Sequence, residues 1–172
     1  GQGHDIYMFD VDLNSVGADI PIGNTVAGND ANRHANGAAA IFHNNQFHLV
    51  APETLAPGQG DWFCLIIFDG NWNVVEERSE ILTDATMLGI VSGLSHEPIT
   101  DTFIVHYARS DTDGGGNIYQ AIYDSNWSLL ANEVLISTGN YQRPHSVFVN
   151  SDLFLGYDSA GVYLSKFNVT YP

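Results

Sequence analysis

Cysteine and lysine are each present once in the 172 residues. Cys64 stands alone, so no intrachain disulfide can form. Its setting in the run Trp62-Phe63-Cys64-Leu65-Ile66-Ile67 reads as a small buried hydrophobe, because a reactive thiol needs electropositive neighbours. Cations are scarce as a class: five Lys and Arg face 20 Asp and Glu, a formal charge of −15. Nucleic acids and anionic membranes are held mainly through cationic side chains, so neither is expected as a partner. No stretch reaches the roughly 18 apolar residues that cross a bilayer as a helix. The chain is therefore expected to be soluble or exported. Its start at Gly1 without methionine fits a removed leader, a tag remnant or a fragment of something longer, and the acidic excess resembles a surface suited to saline surroundings. Secretion from a bacterial cell is the favoured expectation.

What is present is apolar surface and turn residues. Hydrophobic residues make up 44% of the chain and aromatics 12%, with 17 glycines, enough for a sizeable core and against global disorder. Apolar runs of six to nine residues alternate with Gly-, Asn- and Asp-rich turns, and none holds a helical period over three turns. Strands are expected at 5–12, 19–24, 38–43, 46–52, 62–69, 74–81, 87–93, 102–109, 117–124, 129–136, 145–149, 153–157 and 162–170, with the longest loop between Gly23 and Gly37.

An internal repeat organises these strands. Residues 67–81 (Ile-Phe-Asp-Gly-Asn-Trp-Asn-Val-Val-Glu-Glu-Arg-Ser-Glu-Ile) match residues 122–136 (Ile-Tyr-Asp-Ser-Asn-Trp-Ser-Leu-Leu-Ala-Asn-Glu-Val-Leu-Ile) at a constant offset of 55, with five identities. The pattern describes a strand ending in an aromatic, a tight Asp-x-Asn turn, a Trp folding back, and an antiparallel return strand. Weaker copies stand at 6–12 and 162–168, and upstream strands begin at Phe47, Phe103 and Phe154. The chain is thus expected to be one all-β domain, 1–172, of four-stranded antiparallel meanders: a partial unit over 5–24, full units over 38–81 and 87–136, and a partial unit over 145–170. Such repeats predict a β-propeller-like fold of three to four blades, with a β-sandwich as the alternative. Closed rings have about 4–8 blades, so the short count points to a homodimer that completes a ring or to part of a larger propeller.

With these turns in hand, the chain resembles bacterial β-propeller repeat proteins, a loose group that includes sialidase-like and glycosidase-like propellers and propeller lectins. The carriers are Asp69-Gly70-Asn71-Trp72 and Asp124-Ser125-Asn126-Trp127. They share an Asp, small residues and a Trp with the sialidase Asp box, Ser-x-Asp-x-Gly-x-x-Trp, at a different spacing. Asp boxes are structural turns, so the resemblance implies blades and a ligand at one mouth of a channel rather than a chemistry.

Aligning Phe47, Phe103 and Phe154 sets Val50 against His106 and Tyr157, Ala51 against Tyr107 and Asp158, and Glu53 against Arg109. Polar residues in place of a repeating hydrophobe mark His106, Tyr157, Asp158, Glu53 and Arg109 as candidate ligand-binding residues; salt bridges between blades and satisfied polar groups are the alternative explanation. Arg33-His34 and Arg143-Pro144-His145 precede first strands of units, and an Arg in so acidic a chain suits a carboxylate, internal or bound. Among seven histidines, His43 and His48 flank the Asn44-Asn45 turn and can approach across it, but spacing indicates no third ligand, so no metal site is assigned. Residues 111–117 (Asp-Thr-Asp-Gly-Gly-Gly-Asn) carry a fragment of a calcium-loop pattern without its downstream Glu, and read as a hairpin loop at which Ca²⁺ is the one cofactor to consider. The acidic excess supplies carboxylates such as Asp30, Asp84 and Asp101 without marking a pair, and no nucleophile elbow or phosphate loop occurs. The expected function is a non-catalytic binding module, with carbohydrate or a small polar ligand as its partner. A glycosidase-like enzyme with its site at the channel mouth and a structural assembly protein are the alternatives.

Overall fold

The computed structural model describes residues 5–6, 12, 20–21, 38–54, 61–82, 88–110, 116–149, 152–158 and 162–167. Among these every regular element is a strand, and no helix long and apolar enough to cross a membrane occurs. β1 (Asp5–Ile6) and β2 (Ile20–Pro21) form a short antiparallel pair. β3 (Ala39–His43), β4 (Gln46–Thr54), β5 (Asp61–Phe68) and β6 (Val74–Leu82) form a four-stranded meander in sequential order. A second sheet runs, also sequentially, through β7 (Leu88–Glu97), β8 (Thr102–Ser110), β9 (Gly116–Tyr123), β10 (Leu129–Val149), β11 (Asp152–Asp158) and β12 (Val162–Phe167). The all-β, antiparallel meander expected from the turn spacing is therefore present.

One expectation is corrected. Residues 129–136 and 145–149 were to be separate strands, yet both lie in the 21-residue β10. Its ladder with β9 ends at Tyr141 opposite Gly116, and its ladder with β11 begins at Gln142 opposite Asp158. Each half has its own hydrogen-bonding partner, so Gly139 and Asn140 stay extended instead of turning. Pro144, which has no N–H to donate, falls within the register shift between Gln142 and His145, where a strand tolerates it.

The repeat folds the same way twice. Asp69 Oδ1 accepts the backbone N–H of Asn71 and Asn73 at 2.8 and 2.9 Å, and Trp72 N–H reaches Asp69 O at 3.0 Å. Asp124 Oδ1 accepts from Asn126 and Ser128 at 2.9 and 2.7 Å, and Trp127 N–H reaches Asp124 O at 3.0 Å. Both indoles hang from left-handed backbone, φ 65° and 60°, a conformation that a bulky residue adopts only when its surroundings hold it there. The holding contact also repeats: Phe47 stacks on Trp72 at 4.2 Å and Phe103 on Trp127 at 4.5 Å.

The apolar faces pack in layers. Val50, Phe63, Leu65, Ile67 and Leu82 of the first sheet meet Phe103, Val105, Tyr107, Ala121 and Tyr123 of β8 and β9, with Trp127 among them. The opposite face of β8 and β9 is covered in turn: Ile104 and Ile122 meet Leu153, while Ala108 and Ile118 meet Leu155. Burial on both faces is what makes 102–109 read as a nearly continuous apolar run. β10 carries the chain across to make this third layer possible, and Gly93 lies beneath it, where a Cβ would stand 2.9 Å from the Pro144 carbonyl oxygen. Among the described residues the layers stack without closing into a barrel.

Candidate metal centre at the seam of two sheets

Two hairpin ends meet where the first sheet lies on the second. In the β3–β4 hairpin, Asn44 and Asn45 take φ 48° and 62°, the pair of positive angles that a two-residue hairpin turn requires and that Asn accepts most readily after Gly. This places His43 at the last position of β3, paired with Gln46, and sets His48 opposite Ile41. In the β7–β8 hairpin, the Glu97 carboxylate takes the N–H groups of Ile99 and Thr100 and the Thr100 hydroxyl, at 3.0, 2.6 and 2.6 Å. That clamp shapes a longer turn ending at Asp101, φ 53°, and leaves His96 paired with Phe103.

Across the seam both imidazoles aim at one oxygen. His43 Nε2 lies 2.9 Å and His96 Nε2 2.8 Å from Asp101 Oδ1. A carboxylate only accepts, so each ring presents its Nε2–H to the same atom. The hydrogen bond from His96, helped by that from His43, holds the Asp101 carboxyl below the ordinary carboxylate range. Phe103 supports both rings, edge-on to His43 at 5.0 Å and tilted to His96 at 5.3 Å, and the imidazoles themselves lie 4.2 Å apart. The His side chains are 11% and 18% exposed and that of Asp101 49%, so the cluster is walled by protein and opens toward solvent through the carboxylate.

His48 lies behind this cluster, its ring 5.7 Å from that of His43. Its Nδ1 accepts the Trp127 indole N–H at 2.9 Å, which makes it a neutral imidazole protonated at Nε2. Burial first, then the neighbouring His43, pushes its pKa from 6.5 to about 4. The pairing expected from sequence, His43 with His48, is therefore a ring contact. The donor atoms that converge belong to His43, His96 and Asp101, all within 4.8 Å of one another. Two nitrogens and a carboxylate oxygen form a donor set that can hold a metal ion.

The other expected site residues lie elsewhere. Glu53 and Arg109 sit near the ends of β4 and β8 remote from the hairpin turns, facing Trp62 and Asn117 along the ladders. Arg109 also places its guanidinium over Tyr119 at 5.9 Å. Arg143 and His145 belong to the second half of β10, where His145 is exposed and pairs with Gly156. Tyr157 and Asp158 end β11, and the Tyr157 hydroxyl meets Ser165 Oγ at 3.2 Å. Arg33, His34 and residues 111–115 of the expected calcium loop fall outside the described residues. His106 is completely buried, and burial lowers its pKa to about 4 against a weaker opposing pull from Gln120.

His106 Nδ1 lies 3.0 Å from Ser146 Oγ, which donates to Ser95 Oγ at 3.2 Å. The Ser146 hydroxyl thus bridges the His106 ring and Ser95. These contacts link β7, β8 and β10 inside the core.

The triad had one legible signal. Extending the Phe47/Phe103 alignment two residues upstream sets Asn45 against Asp101, the two left-handed turn residues. A carboxylate in place of an asparagine there, five residues after a histidine, marks this turn as different. Comparison with protein-family models and with curated proteins finds no match to this chain.

Proposed function

We propose that this chain is a non-catalytic binding module of β-propeller type, with β3–β6 as one blade, β7 to the first half of β10 as the next, and the remainder of β10 with β11 and β12 as part of a third. Its ligand site is the seam between the β3–β4 and β7–β8 hairpins. The twice-used Asp-x-Asn-Trp turn and the face-to-face packing of successive units support the architecture. The observation that carries the binding reading is the convergence of His43, His96 and Asp101, drawn from two units, at a position open to solvent. Among organic ligands, carbohydrate is the class that the Asn- and aromatic-rich turns favour; half-buried Trp72 retains some accessible surface, whereas Trp127 is 4% exposed.

The test is a titration of the isotope-labelled chain, followed by amide chemical shifts, with a panel of glycans and, separately, divalent metals. Shifts centred on 43–46 and 96–102 are expected. Shifts confined to the strand ends bearing Glu53, Arg109 and Tyr157 would move the site to the other end of the sheets, and turnover of a glycoside would overturn the non-catalytic reading.

A further inference from the structure

Building on the seam as the ligand site, we propose that His43 Nε2, His96 Nε2 and the Asp101 carboxylate hold one divalent transition-metal ion of the zinc class, which fastens the two sheets together and keeps a coordination position open. The donor chemistry selects the ion: two imidazole nitrogens with one carboxylate suit zinc and its first-row neighbours, whereas magnesium and calcium prefer oxygen throughout. The geometry is close to that required. Tetrahedral zinc with bonds of about 2.0–2.1 Å sets its donors about 3.3 Å apart, so the present separations of 2.8 and 2.9 Å from Oδ1 need to open by about half an ångström. Asp101, on an exposed turn, is the member free to make that move.

The two nitrogens are held in place beforehand. His43 and His96 come from different sheets, yet they present the same ring atom to one point, each braced on Phe103. In metal-free protein the two Nε2 protons stand where the ion would bind. On binding, each ring gives its Nε2 lone pair to the metal in place of that proton. Three protein donors leave a tetrahedral ion one further position, on the solvent side with Asp101, for water or a ligand atom. His48 is not a ligand through Nδ1, which the Trp127 indole occupies; it links the site to a fluorescent side chain.

The decisive experiment is calorimetric titration of the full metal-free chain with zinc chloride, in excess magnesium to occupy the acidic surface, with cobalt(II) visible absorption reporting coordination geometry. One equivalent of zinc is expected, with the intense cobalt bands of a four-coordinate site and a change in Trp127 emission. Asp101→Asn keeps a residue suited to the left-handed turn, and His96→Gln keeps a polar side chain. Each is expected to weaken binding by at least about tenfold with circular dichroism unchanged, while His145→Ala leaves it unaltered. Equal affinity in wild type and both variants, or no stoichiometric binding, would overturn the metal site. A glycan that moves the seam amides while zinc does not would overturn the metal and leave the seam reading standing; silence of the seam toward both would overturn the two together.

Discussion

Trp127 donates its indole N–H to His48 Nδ1 across 2.9 Å, joining the turn of one sheet to a strand of the other inside the core. Phe103 stacks on the same indole at 4.5 Å, so one aromatic column runs from the Asp124 turn to the histidine cluster. Trp127→Phe retains a ring on Phe103 but removes the donor together with part of the indole's volume, leaving a buried acceptor unmet. Such a loss costs about 1–3 kcal/mol. Urea denaturation is expected to show that deficit, with a much smaller one for Trp72→Phe, whose indole is only half-buried.

The two Asp turns are alike in hydrogen bonding and unlike in what they seat. Asp124 positions Trp127 in the intersheet core, and Arg78 of β6 caps that turn by donating to Asn126 O at 2.9 Å. Asp69 positions Trp72 against Phe47, in a smaller cluster with Leu49, Ile66 and Phe68. Asp124→Ala is therefore expected to lower the melting temperature more than Asp69→Ala. Equal effects would mean that the turn matters only for its local bonds.

Much of this was legible in the sequence. The 55-residue offset and the Asp-x-Asn-Trp pattern specify a turn that closes on its own side chain and backbone within five residues, and apolar runs between turns specify strands. The joining of 129–136 to 145–149 was not legible, because whether Gly139-Asn140 turns depends on which strands lie ready to pair on either side. Nor was the triad. His43 and His96 are 53 residues apart, and only the seating of one sheet on the other brings them to Asp101. His106 illustrates the converse. Its break in the hydrophobic pattern stood out, and the structure absorbs it in a buried link through Ser146 to Ser95.

The burial of His106 makes stability depend on pH. His106 titrates at about 4 when folded and at 6.5 as an exposed model group, so between those values the unfolded chain binds the extra proton. The contribution is fully present above about pH 6.5, declines as pH falls toward 4, and levels off below. A shift of this size is worth on the order of 3 kcal/mol. Denaturation curves between pH 7 and 4.5 are expected to be flatter for His106→Gln than for wild type, and the wild-type His106 ring signals to titrate well below 6.

The close crossing of β10 over β7 rests on Gly93. A Cβ at that position would lie 2.9 Å from Pro144 O, 3.0 Å from His106 Cβ and 3.1 Å from Ser146 Oγ. The first two atoms belong to backbone and to a buried ring stem, which cannot swing aside as a flexible side-chain end would. Gly93→Ala must therefore lift β10 from β7 and stretch the His106–Ser146–Ser95 chain. Overpacking of this kind costs about 1–3 kcal/mol. Hydrogen exchange is expected to accelerate in the second half of β10 and in β11, whose Leu153 and Leu155 cover the far face of β8 and β9, while β4 and β5 keep their protection. Uniform acceleration across both sheets would instead mean that the layers unfold as one cooperative unit.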